Sequence, residues 1–84
     1  MKKIIIENFG GTDTLKLKDV EINNPKKNEV MIAHKAIGVN YIDIYQRSGT
    51  YPINLPSGLG LEAAGIVESI GEDVKNIKIG DRVC

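Results

Sequence analysis

The sequence predicts a mainly β domain with one short helix. Three observations carry that expectation: β-branched or alternating runs recur at short intervals, glycine, proline and asparagine clusters separate them, and a single stretch after Gly38 has helix signals at both ends. Several short strands punctuated by turns favour closure into a barrel-like domain over an open sheet.

The elements follow in order. Lys2 to Asn8 is rich in isoleucine and stops at Phe9-Gly10-Gly11, so it reads as a strand entering a turn. Leu15 to Ile22 alternates apolar and polar residues. An offset at Lys18-Asp19 predicts a bulge, and the pattern predicts a half-buried strand near an edge. Asn23 to Asn28 gathers turn formers around Pro25, which removes a ladder donor. Glu29 to Ile37 gives the strongest strand signal, with Val30, Ile32 and Ala36 on one face and His34 on the Val30 face.

Gly38 ends that strand. Asn40 then caps a helix whose first turn carries Asp43, whose face holds Tyr41, Ile44 and Tyr45, and which Ser48-Gly49 terminates. Thr50 to Ser57 is an irregular crossing marked by Pro52 and Pro56. Gly65 to Ile70 is a further strand closed by Gly71-Glu72-Asp73. Val74, Ile77 and Ile79 supply apolar anchors, and Gly80-Asp81 leads into a strand at Arg82-Val83-Cys84.

Composition narrows the function classes. Eighty-four residues make one small domain, which buries only roughly 60% of its unfolded surface. The formal net charge of +0 gives no long-range attraction to nucleic acid or anionic membrane. The single cysteine, Cys84, excludes an internal disulfide and a cysteine metal cluster, which fits a reducing, cytoplasmic setting. Lys2-Lys3 before Ile4-Ile5-Ile6 imitates the start of a secretory signal, but Glu7 and Asn8 end the apolar run too early, so no targeting or membrane segment is expected.

Chemistry-bearing residues concentrate between Asn40 and Gly65, where an amide, carboxylates, an arginine and the three tyrosines lie between strand-like segments. The segments Lys35 to Asp43, Arg47 to Pro52, Leu55 to Gly58, Glu62 to Val67 and Gly80 to Val83 occur in order with matching gaps. Together they resemble the amino-terminal, GroES-like part of the medium-chain dehydrogenase/reductase superfamily, and within it the NADPH-dependent quinone oxidoreductases of the zeta-crystallin type.

The resemblance implies hydride transfer from NADPH to a quinone or enone, with residues 1–84 forming the substrate-side domain, a GroES-like partly open β-barrel, and a Rossmann domain carrying most of the nucleotide site. It implies that the chain stops before that domain, is inactive alone and self-associates into a homo-oligomer. Zinc alcohol dehydrogenases of the superfamily carry a cysteine where this chain has Asn40 and a histidine where it has Leu61. An amide and a leucine cannot replace those ligands, so no metal is expected.

The same resemblance makes Asn40 and Tyr51 candidates for catalysis, and Asn40, Tyr45 and Tyr51 candidates for cofactor binding. Against this, Asn40 could serve as a helix cap only, and either tyrosine could be an aromatic packed in the core with its hydroxyl at the surface. Asp43, Arg47 and Glu62 are read as structural support, with Asp43 and Arg47 as an exposed pair four residues apart. His34 has no second ligand at metal spacing and reads as a half-buried strand residue.

Gly58 to Ala63 matches a G-x-G-x-x-A string, yet prolines precede it and strand-like residues follow, against a nucleotide fingerprint. A non-enzymatic remnant or a β-barrel interaction module is the competing function class.

Overall fold

The computed structural model describes residues 1–84 as a mainly β fold with one helix. Strands β1 (Lys2–Ile6), β2 (Lys16–Asp19) and β4 (Ser57–Gly58) form one antiparallel sheet. Strands β3 (Val30–Gly38), β5 (Glu62–Ile70) and β6 (Arg82–Val83) form another, and helix α1 spans Tyr41–Ser48. The hydrogen-bonded ladder does not run around a closed ring; each sheet has three strands. The chain divides into two compact units, the first comprising Met1–Ile22 and Val39–Leu61, the second Asn23–Gly38 and Glu62–Cys84. No helix is long and apolar enough to cross a membrane.

In the first unit the centre is β1, paired with β2 on one side and β4 on the other. Its last residue, Ile6, is fully buried, and Ser57 and Gly58 pair with Ile6 and Ile5. The expected bulge at Lys18-Asp19 does not occur: Lys2, Lys3, Ile4 and Ile5 face Asp19, Lys18, Leu17 and Lys16 without interruption. Nor is β2 half-buried, because an edge strand of four residues with lysines at two positions leaves Leu17 65% exposed. Charge supports the ladder instead. Lys2 pairs with Asp19 and Lys18 with Glu7, and the hydrogen bond and charge from Lys18 hold the Glu7 carboxyl below the usual carboxylate range.

In the second unit β5 is central. Its alternation is visible in burial, with Ala63, Gly65, Val67 and Ser69 turned inward and Val67 only 1% exposed. The β3 to β5 register shifts between Met31 and Ile32 and again between His34 and Ala36. A Cβ on Gly65 would lie 2.2 Å from the Ala33 carbonyl oxygen, so the missing side chain lets the irregular β3 backbone come close. These shifts break the simple alternation expected for β3, and His34 is exposed, not half-buried. Ile79, expected as an anchor, is 65% exposed, while Val74 and Ile77 are half-buried.

The turn after β5 is held by backbone bonds to the loop before β3. The Gly71 N–H donates to the Glu29 carbonyl at 2.8 Å and the Asp73 N–H to the Lys27 carbonyl at 2.9 Å. A Cβ on Gly71 would lie 1.9 Å from the Lys26 carbonyl oxygen, a collision with main chain that no rotamer relieves. Gly71→Ala is therefore expected to destabilise the fold by about 2–3 kcal/mol, read as a lowered denaturant midpoint at unchanged slope. A variant as stable as the parent would contradict the close approach.

Candidate functional site

The residues singled out by sequence assemble in part. Helix α1 begins at Asn40, whose extended backbone makes it the N-cap, and a capping box closes the first turn. The Asn40 N–H donates to Asp43 Oδ2 at 2.9 Å, and the Asp43 N–H is within 3.0 Å of the Asn40 carbonyl oxygen. The other carboxylate oxygen of Asp43, Oδ1, is buried with no hydrogen-bond partner in the chain. At the far end Gly49 takes the left-handed conformation, φ +88°, which suits glycine and stops the helix where the sequence predicts.

The turn that follows folds Tyr51 back onto the helix. Ser48 Oγ donates to the Tyr45 carbonyl at 3.2 Å and lies 3.0 Å from Thr50 Oγ1. The Tyr51 N–H reaches the same Tyr45 carbonyl at 3.1 Å. The two phenol rings meet edge to face, centroids 5.3 Å apart at 81°. They are 41% and 55% exposed, so neither is an aromatic packed into a core. Asn40 lies about 7.5 Å along the helix axis from Tyr45, at 1.5 Å of rise per residue.

The helix turns its residues contrary to ordinary amphipathicity. Asp43, Gln46 and Arg47 are half-buried, while Tyr41, Ile44 and Tyr45 are exposed. The Asp43 to Arg47 ion pair expected from their spacing does not form. Asp43 engages the Asn40 backbone, and Arg47 Nε donates to the Gly10 carbonyl at 3.1 Å. Glu62 lies in the second unit, opposite Gly38 in the β3 to β5 ladder, its carboxylate against the Gly38 main chain. The Gly58 to Ala63 string joins β4 to β5, and no helix follows it, so the geometry that would place a pyrophosphate at a helix N-terminus is missing.

Three features had weak or no sequence signals. β4 is only two residues long, the 3-10 turn at Thr12–Thr14 follows two glycines, and the link from Arg47 to Gly10 spans 37 positions. Of these, only the turn left a local trace, in Thr14, whose hydroxyl donates to the Gly11 carbonyl.

Chemically, this segment offers an amide, two exposed phenols and an open aromatic surface, which suit a planar ring carrying carbonyl groups. Between Asn40 and Tyr51 the sole cation is Arg47, so the segment does not supply a cradle for phosphates. No three His, Cys, Asp or Glu side chains are grouped so as to hold a metal ion.

Because Asn40 caps α1, Asn40→Ala is expected to cost about 1 kcal/mol, whereas Asn40→Asp, an equally good cap, should hold stability to within a few tenths of a kcal/mol. Thermal unfolding of the two variants separates these outcomes. Equal losses would remove the capping role.

Residues 26–84 match the family described as Alcohol dehydrogenase GroES-like domain. Quinone oxidoreductase 1 of Escherichia coli is 50% identical over 82 residues, and a quinone oxidoreductase of Pseudomonas aeruginosa is 47% identical over 83. The alignments cover 96% and 98% of this chain but 25% and 26% of those proteins. The crystal structure of an Escherichia coli quinone oxidoreductase complexed with NADPH superimposes with a TM-score of 0.95 at 48% identity, over 98% of this chain and 26% of that one. The chain thus spans about a quarter of the length of the relatives it matches, and it belongs to the alcohol dehydrogenase GroES-like domain family.

Proposed function

We propose that this chain is the substrate-side domain of a zinc-independent NADPH:quinone oxidoreductase and that it works only together with a nucleotide-binding domain. The observation that carries the reading is the pair Tyr45 and Tyr51, fixed edge to face on an exposed surface of the helix that the Asn40 amide begins. The quinone oxidoreductases among its relatives, one of them complexed with NADPH, support it.

The residues fit the nicotinamide end of the cofactor and a quinone, both flat rings bearing carbonyl oxygens. Asn40 and Tyr45 would hold the nicotinamide end, while the phosphates would be held outside this chain. When bound, NADPH supplies the hydride. The chain's own residues orient and stabilise. The Tyr51 hydroxyl donates a hydrogen bond to the quinone oxygen as negative charge develops there, and the Asn40 amide offers a second donor.

Such donors would do for the carbonyl what a metal does in the zinc branch of the superfamily. Asn40 and Leu61 support that substitution, since neither provides the thiolate or imidazole a catalytic zinc site uses. The unpaired outer edges of β2, β3 and β6, together with exposed Leu17 and Ile37, support association of copies into a homo-oligomer.

The test is NADPH oxidation with a simple benzoquinone, by this chain and by the longest natural product of its gene. The longer product is expected to turn over and the 84-residue chain to be inactive. In the longer product, Tyr51→Phe and Asn40→Asp should each lower kcat by about 10²-fold, the scale for one lost oxyanion donor, with the helix cap preserved in the second. A longer product without quinone reduction would favour a non-enzymatic module; unchanged rates in both variants would remove these donors from the reaction.

A further inference from the structure

Arg47 has a role that neither capping nor the phenols explain. It lies in the last turn of α1, where a cation complements the helix dipole, yet its side chain turns inward, half-buried, to another loop. Arg47 Nε donates to the Gly10 carbonyl at 3.1 Å, and the Gly10 N–H donates to the Arg47 carbonyl at 3.0 Å. The two residues therefore grip each other twice across 37 positions. Beside them, the Phe9 ring lies 3.0 Å from where a Cβ on Gly49 would be, so it packs on the residue that ends the helix.

Phe9 and Gly10 thus fix both the final turn and its terminator. Two bonds lead from that point to the phenols, because Ser48 Oγ and the Tyr51 N–H both donate to the Tyr45 carbonyl. A helix of eight residues frays at its last turn unless something outside it holds the end. Any slack there would pass directly into the angle between the rings.

We propose that Arg47 is a positioning residue: clamped to Phe9-Gly10, it sets the edge-to-face geometry of Tyr45 and Tyr51 that the substrate meets. The functional half of this statement rests on the quinone oxidoreductase reading; the structural half does not. A planar guanidinium with a rigidly placed Nε donor suits a fixed clamp better than a flexible ammonium.

The chain holds three tyrosines, so labelling with 3-fluorotyrosine gives one fluorine resonance each for Tyr41, Tyr45 and Tyr51. In Arg47→Met, which keeps the apolar stem and removes the donor, the Tyr45 and Tyr51 resonances should move by more than their linewidths while Tyr41 stays. Arg47→Lys should fall between variant and parent. If Arg47→Met does not fold, Phe9→Leu loosens the same clamp from its other side and should move the same two resonances. A folded Arg47→Met, or failing that a folded Phe9→Leu, whose spectrum superimposes on the parent overturns the proposal.

In the longest product of the gene, Arg47→Met should lower kcat/KM for the quinone by about tenfold, with Arg47→Lys recovering most of it, as a small misplacement of positioning groups would do. A loss confined to the folded fraction, with kcat per folded molecule unchanged, would contradict positioning. Should the parent itself not reduce quinones, the functional reading fails while the fluorine spectra still decide the clamp.

Discussion

The candidate site depends on how the two ends of α1 are held. Eight residues are too few for a helix to persist in water on propensity alone, and this one has no fully buried side chain to anchor it. Its stability must come from its termini and its inward polar face. The capping box of Asn40 and Asp43 satisfies donors at the start, Gly49 reverses the chain at the end, and Arg47 ties the last turn to Gly10. Because those contacts lie on the inner face, Tyr41, Ile44 and Tyr45 remain open outside.

That arrangement explains how a small domain can expose aromatic rings at a defined angle. In the first unit, β1 with its buried Ile6 carries pairings on both sides, and the Phe9-Gly10 turn leaves directly after it, so the clamp is rooted in the sheet. In the second unit, close backbone approaches at Gly65 and Gly71 let β3 and its preceding loop lie against β5 and the turn that follows it. Fully buried apolar side chains are few, Ile6 and Val67, so backbone hydrogen bonds and close main-chain contacts share the task of specifying the fold.

Much of this was legible because its causes are local. Asn40 followed three residues later by Asp43, and Ser48-Gly49 at the other end, bound the helix by chemistry that acts within a turn. The β-branched runs at Lys2–Ile6 and in β5 likewise declare strands. The departures from local expectation have non-local causes. The bulge assigned to β2 belongs to β3, where Gly65 on the neighbouring strand permits it, and His34 is exposed as part of the same irregularity. The spacing of four residues predicts that Arg47 pairs with Asp43, but a carbonyl far away in sequence takes its Nε. The aromatic site was visible as composition; its geometry required the turn through Ser48 and Thr50.

We propose that the Tyr45 and Tyr51 rings, held edge to face by a short, doubly anchored helix, meet the nicotinamide ring together with the Asn40 amide at the helix start. A crystal structure of the longest product of the gene with NADPH tests this most directly. The expected result is a nicotinamide ring lying against the tyrosine pair, with Tyr45 and Tyr51 edge to face as they stand in this chain. A nicotinamide bound elsewhere, or a tyrosine pair that assembles differently around it, would overturn this role for α1.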